Sequence, residues 1–179
     1  MGGDVVETVH TSRAWVVMGV AGCGKSTVAP GLCAALGALA ALGDDHHNRV
    51  LPPVCIEGDD HHPAANIAKM SRGEPLTDAD RQPWLESLAM KMRQATALAG
   101  TVEGTRGRDV VLACSALKRA HRATLTAWTV GDTLREVYFL HLDVSRRQLE
   151  DRLGARAGHF FATSLLQSQL DALEVDEED

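Results

Sequence analysis

The pattern of apolar positions predicts strands that alternate with helices along the chain. Four apolar runs, at 14–18, 54–57, 109–114 and 136–142, have the length and composition of strands. The first of them, Ala14-Trp-Val-Val-Met18, is apolar at every position, which is typical of a strand buried on both faces. A helix-like segment follows each run, so we predict an α/β fold with a doubly wound parallel sheet.

The segments between the strands contain signals for where helices begin and end. The first helix is predicted from Lys25 to Leu36 or Leu42, with a kink or early stop at Pro30. The second begins between Thr77 and Pro83, and Ser145-Arg-Arg-Gln148 has the form of a capping box at the start of another. Residues 43–53 have loop composition and no period, so we expect an inserted surface loop there.

Composition limits the function classes that need to be considered. A chain of 179 residues with 45% hydrophobic residues predicts a single domain over 1–179. The formal net charge of −6 offers no basic field for nucleic acid. Four cysteines without a C-x-x-C pair favour a reduced, cytoplasmic protein. The apolar stretch 32–42 is too short to span a bilayer, and the acidic start lacks the basic region of a signal peptide, so no membrane partner is expected.

The strongest motif lies between the first strand and the first helix. Residues 19–26 match G-x-x-x-x-G-K-[ST] at every fixed position, which predicts a phosphate-binding loop, or P-loop, for ATP. In this role Lys25 reaches the β and γ phosphates and contributes to catalysis, while the Ser26 hydroxyl ligates Mg²⁺. The predicted nucleotide-binding residues are Gly19, Val20, Ala21, Gly22, Cys23, Gly24, Lys25, Ser26 and Thr27.

An acidic turn follows the second strand, at the end where ligands bind in open α/β sheets. Asp59 is the candidate general base, positioned to accept or orient the proton of an attacking hydroxyl and to help hold a metal through water. His62 is a candidate substrate residue, although paired histidines also occur in solvated loops. Asp143, after the fourth strand, is the second choice for the acid that orients the metal.

Arginines concentrate in one short segment after residue 145. Arg152 and Arg156 are four residues apart and so share a helix face, from which both could neutralise a transferring phosphate as catalytic groups. The alternative is that they belong to a solvated basic face, as charge runs usually do.

Further blocks accompany these motifs in a characteristic order, and together they resemble the gluconate kinases over residues 15 to about 174. The resemblance implies a three-layer P-loop kinase fold like that of the nucleoside monophosphate kinases, and transfer of the ATP γ phosphate to the terminal hydroxyl of D-gluconate. It also implies that 63–100 helps form the substrate pocket and that about 145–161 is a lid. The blocks are Gly19 to Thr27, Glu57-Gly-Asp-x-x-His-Pro63, Asn66-Ile-x-Lys-Met70, Gly73-Glu-Pro-Leu76, Asp78-x-Asp-Arg-x-Pro-Trp-Leu85, Cys114-Ser-Ala-Leu-Lys118 and Gly158-His-Phe160.

The family-specific blocks supply two candidates for binding the substrate carboxylate. Arg81 is the first and Lys118 the second; alternatively, Arg81 pairs with Asp78 or Asp80 at the start of its helix. The gluconate kinases continue past the 165–173 helix into another strand and helix, so we expect this final strand and helix of the fold to be missing here.

Two other functions and the state of assembly stay open at this point. One alternative is a kinase for another small hydroxy acid, such as shikimate, or for a nucleoside, using the same P-loop. The other is a catalytically impaired nucleotide-binding protein. The sequence does not settle the oligomeric state, for which a homodimer is one option.

Overall fold

A four-stranded parallel sheet organises the part of the chain that the structure describes. The computed structural model describes residues 12–42, 49–97, 105–129, 134–155 and 163–175. The strands are β1 (Ser12–Met18), β2 (Arg49–Glu57), β3 (Thr105–Ala113) and β4 (Leu134–His141). They are ordered β2-β3-β1-β4 and every pair is parallel, which confirms the predicted α/β class.

Within the described residues, six α-helices and one 3₁₀ turn connect and flank these strands. The 3₁₀ turn spans Gly58–His61, directly after β2. The helices are α1 (Lys25–Leu42), α2 (Ala64–Ser71), α3 (Asp78–Ala97), α4 (Arg119–Thr129), α5 (Arg146–Gly154) and α6 (Thr163–Asp171).

The alternation of side chains along the central strands produces three layers. Val17 and Val111 face the same side of the sheet and pack with Ala29 of α1. Val16 and Leu112 point to the opposite side, where they pack with Leu88 and other residues of α3. Because successive strand residues point to opposite faces, β1 and β3 need apolar side chains at nearly every position. This burial explains the continuous apolar runs seen in the sequence.

Helix α1 continues through Pro30 to Leu42, the longer of the two predicted ends, so the early stop is not observed. Pro30 removes one helical hydrogen bond, but Leu32, Cys33 and Leu36 beyond it pack against the sheet and hold the helix. By length and composition α1 is the one helix of the described chain that could cross a membrane. One such helix is weak evidence by itself, and α1 contacts strands β2 and β3 of the sheet.

The prediction that 43–53 forms a loop is wrong for its second half. Strand β2 begins at Arg49, and the prolines Pro52 and Pro53 lie within it. The pairing of β2 with β3 shifts register between Leu51 and Val54, so the two prolines fall where the ladder is irregular. β2 is an edge strand, where a missing N–H is tolerated. Residues 43–48 lie outside the described part of the chain.

The N-cap half of the predicted capping box is confirmed at the start of α5. The Ser145 side chain accepts a hydrogen bond from the backbone N–H of Gln148, and the Gln148 side chain lies 3.0 Å from the same hydroxyl. The cap places α5 after β4, on the same side of the molecule as the P-loop.

Gly58 provides a test of how tightly β2 and β3 are joined. A Cβ atom at this position would lie 2.5 Å from the Ala113 carbonyl oxygen, which is backbone and cannot move aside easily. We expect Gly58→Ala to lower the free energy of unfolding by about 2 kcal/mol or more in urea denaturation. Gly31→Ala in α1 is the matched control, since a Cβ there meets nothing within 4 Å and should stabilise by up to about 1 kcal/mol. Equal stability of the two variants would contradict the close approach.

Candidate active site

The P-loop connects β1 to α1 in a conformation that depends on its glycines. Gly22 and Gly24 have φ angles of 82° and 110°, in the region that side chains with a Cβ rarely adopt. The Lys25 ammonium folds back over the loop and donates to the carbonyl oxygens of Gly19 and Val20, at 3.0 and 3.1 Å. These contacts place a positive charge at the N-terminus of α1, where anions are already favoured.

A cavity of about 380 Å³ opens beside this loop. Its walls come from the P-loop, the 58–61 turn, α2, the start of α3 and α6. The structure brings together there five residues predicted from separate parts of the sequence: Lys25, Ser26, Asp59, His62 and Arg81. Residues of the predicted pocket region 63–100, such as Ile67, Met70 and Leu76, complete the wall.

The two acids proposed for metal and proton chemistry differ in position. The Asp59 carboxylate lines the cavity, and its side chain is 71% exposed. Asp143 is exposed beyond the end of β4 and does not line this cavity. Asp59 is therefore the better placed of the two for a reaction at the P-loop.

The two candidates for a substrate carboxylate also differ. Arg81 lines the cavity and donates through Nη1 to the backbone carbonyl of Leu76, and burial lowers the pKa of its guanidinium. Lys118 does not line the cavity; its ammonium lies 2.7 Å from Asp78 Oδ2. The alternative prediction paired Arg81 with Asp78 or Asp80. In the structure Asp78 pairs with Lys118 instead, and Asp80 Oδ1 lies 2.7 Å from the ammonium of Lys69.

Arg152 contacts the P-loop but is not among the residues that line the cavity. Its Nη1 donates to the carbonyl oxygens of Gly22 and Cys23, at 3.3 and 3.2 Å. On the same helix, Leu153 lines the cavity, and its side chain lies 3.1 Å from where a Cβ atom at Gly22 would be. Arg156, together with the rest of the predicted lid from 156 to 161, lies outside the described residues.

Sequence reasoning missed a contact that holds the P-loop from outside. Gln169 of α6 accepts a hydrogen bond of 2.7 Å from the backbone N–H of Ala21, and its side chain lines the cavity. Ser115, after β3, also lines the cavity, and its carbonyl accepts from the Gly19 N–H at 3.2 Å. A lone glutamine 148 residues away in the chain carries no signal that could have revealed this contact.

The fold has a parallel sheet between two layers of helices, a P-loop after β1 and an acidic turn after β2. This combination defines a P-loop kinase, a class that binds ATP. A family model described as an AAA domain matches residues 15–175. A gluconokinase of Gluconobacter oxydans is 45% identical over 167 residues, covering 93% of this chain and 78% of its own length.

Solved structures agree with this class. An unliganded sugar kinase from Janibacter sp. is 40% identical, with a TM-score of 0.71 over 94% of this chain and 81% of its own. A gluconokinase from Sinorhizobium meliloti is 37% identical, with a TM-score of 0.67 over 96% of this chain and 79% of its own. The chain belongs to the gluconokinase family.

The contacts of Arg152 lead to a test of its role. If Arg152 acts on the phosphates through the P-loop, Arg152→Ala should lower turnover by about tenfold or more while the Michaelis constant for ATP changes less than about threefold. Arg147→Ala, an exposed arginine of the same helix, is the control and should leave both constants unchanged. Identical steady-state kinetics for the two variants would assign Arg152 to the solvated face.

Proposed function

We propose that this chain transfers the γ phosphoryl group of ATP to the terminal hydroxyl of D-gluconate. The observation that carries the proposal is that Lys25, Asp59 and Arg81 line one cavity. A phosphate-binding cation, a carboxylate that can accept a hydroxyl proton, and a second cation for a carboxylate are the three groups that this reaction requires. The gluconokinases among its relatives support the choice of substrate.

Lys25 supplies the first of these groups. Its ammonium bonds to the carbonyls of Gly19 and Val20, and it reaches the β and γ phosphates by exchanging these contacts for phosphate oxygens. The ammonium then stabilises charge on the transferring group, and such electrostatic stabilisation is the main source of catalysis in phosphoryl transfer.

Asp59 acts on the acceptor. Its carboxylate is exposed toward the cavity, so a hydroxyl of the bound sugar acid can donate to it directly. As the hydroxyl oxygen attacks the γ phosphorus, the bond from that phosphorus to the β–γ bridging oxygen breaks and ADP leaves, while the hydroxyl proton passes to an Asp59 oxygen. Arg152 and Arg156 are the proposed lid arginines that would balance charge during the transfer.

The residues present fit Mg²⁺ as a partner of the nucleotide. No cluster of three potential ligand side chains occurs among the described residues, so the chain as described does not form a metal cage. Mg²⁺ usually keeps waters and takes one or two protein oxygens plus phosphate oxygens, and the Ser26 hydroxyl beside Lys25 suits that role. Asp59 would act on the ion through water. The bound ion would neutralise charge on the phosphates.

Arg81 is the proposed ligand of the gluconate carboxylate. Its guanidinium is partly buried, and the resulting loss of hydration lowers its pKa without removing its charge. A partly desolvated cation gains more from an anionic ligand than an exposed one does. Lys118 is the second candidate, and it would have to leave Asp78 to reach the substrate. His62, the other candidate substrate residue, lines the same cavity as Arg81.

We also propose that the enzyme acts in the cytoplasm on a small molecule, without a nucleic-acid or membrane partner. The net charge of −6 is unfavourable for binding a polyanion. A homodimer is one option for its assembly, and light scattering in solution would measure it.

The direct test is a phosphate-transfer assay with ATP and Mg²⁺. We expect phosphorylation of gluconate, and little or none of shikimate or nucleoside monophosphates. Lys25→Met should remain folded and lose at least about 10³-fold in turnover, because it removes a charge that acts on the transferring group. Turnover of another acceptor but not gluconate would overturn the substrate, and wild-type turnover in Lys25→Met would overturn the site.

The choice between Arg81 and Lys118 can be decided by a matched pair of variants. Arg81→Met should raise the Michaelis constant for gluconate by about 10- to 100-fold at saturating ATP, since it loses a charge-assisted hydrogen bond. Lys118→Met should change it less than about threefold, and both variants should keep the affinity for ATP. The reverse result would move the carboxylate site to Lys118.

A further inference from the structure

The imidazole of His62 lies in the cavity wall between an aromatic ring and the proposed base. Its ring stacks on Trp84 with a centroid separation of 4.0 Å and an interplanar angle of 16°. The His62 side chain is only 5% exposed, whereas that of Asp59 is 71% exposed. A buried, stacked ring is held in one orientation, so its ring nitrogens have fixed directions.

Trp84 connects this stack to the turn that carries Asp59. Its side chain is buried, and its indole Nε1–H donates to the Gly58 carbonyl oxygen at 2.9 Å. Gly58 is the first residue of the 3₁₀ turn, and Asp59 is the second. The indole therefore holds both the turn and the imidazole beside it.

The surroundings of the two ring nitrogens select one tautomer of His62. Nδ1 is buried and has no hydrogen-bond partner, while Nε2 lies 3.8 Å from Asp59 Oδ1. A proton on Nδ1 would leave a buried N–H unpaired and would turn the Nε2 lone pair toward a carboxylate. A proton on Nε2 avoids both costs, because its N–H then points toward the carboxylate.

The ring also favours the neutral state. Burial lowers the pKa of His62, and the nearby charge of Arg81 lowers it further, while Asp59 opposes both effects. A neutral imidazole with its proton on Nε2 is a hydrogen-bond donor that leaves the negative charge of Asp59 in place.

We propose that His62 is a positioning residue that sets the orientation of the Asp59 carboxylate. A small rotation of the exposed Asp59 side chain brings Oδ1 from 3.8 Å to hydrogen-bond distance of Nε2–H. The other carboxylate oxygen then faces the cavity and receives the proton of the acceptor hydroxyl. The inference rests on the proposed kinase reaction, in which Asp59 is the base.

Two substitutions of His62 separate a donor at Nε2 from a merely space-filling ring. In His62→Gln the side-chain amide N–H can take the place of Nε2–H, and in His62→Asn it reaches only the place of Nδ1. We expect His62→Gln to keep turnover within about threefold of wild type and His62→Asn to lose about tenfold or more. The Michaelis constant for ATP should change less than about twofold in both, and thermal unfolding should confirm that both are folded.

A double-mutant cycle with Asp59→Asn tests whether His62 acts through Asp59. Asp59→Asn alone should lower turnover by about 10²-fold or more. In that background, adding His62→Asn should change turnover less than about twofold. Independent, multiplying effects, or equal losses in His62→Gln and His62→Asn, would overturn the positioning role.

Failure of this inference is distinguishable from failure of the proposed function. If wild type does not phosphorylate gluconate, the function is wrong. If wild type is active and the His62 variants behave in either of the ways just named, only the positioning role is wrong.

Discussion

The parallel register of the three strands β2, β3 and β1 is the constraint on which the site depends. Ala113 of β3 is paired with Val17 on one side and with Glu57 on the other, so the three strands end at one edge of the sheet. The P-loop leaves β1 and the Asp59 turn leaves β2 at that edge. Backbone hydrogen bonds from Cys114 N to Val17 O and from Gly19 N to Ser115 O extend the ladder into the loops. Lys25 and Asp59, which are 34 positions apart in the chain, are thereby brought to one cavity.

Helices α5 and α6 also hold the P-loop. Arg152 bonds to carbonyls of the loop, Leu153 packs against Gly22, and Gln169 accepts from the Ala21 N–H. Buried side chains of α5 and α6, including Leu149 and Leu166, form one apolar cluster with Val20 and Cys23 of the loop. Two sets of contacts thus hold a glycine-rich segment that would have many conformations by itself.

The cationic and anionic side chains of the cavity differ in how far they are exposed. The cations Lys25 and Arg81 are held by backbone carbonyls, whereas the Asp59 carboxylate is exposed. The anionic groups of a nucleotide and of a sugar acid would meet cations that are already partly desolvated. The exposed Asp59 side chain keeps enough freedom to reach a hydroxyl of the substrate. Lys118 and Lys69 are instead paired with Asp78 and Asp80, and they tie the start of α3 to α4 and α2.

The sequence by itself determined those features that depend on local chemistry. Continuous apolar runs predicted the strands because β1 and β3 are buried on both faces, and the glycine spacing of 19–26 predicted the P-loop because its φ angles require it. The cap at Ser145 was likewise predicted from its local sequence, and the candidate acid Asp59, predicted from its position after a strand, lines the cavity. The extent of β2 was missed, because prolines on an edge strand have the same composition as a loop.

Only the tertiary structure decided which polar groups meet. The sequence offered both Arg81 and Lys118 for the substrate carboxylate, but only the structure shows that Arg81 lines the cavity and that Lys118 pairs with Asp78. The support of Gln169 for the P-loop and the stacking of His62 on Trp84 join residues with no shared local pattern. Such contacts depend on how helices pack on the sheet, and that packing reflects the volume and shape of the whole core rather than the residues on either side of the contact.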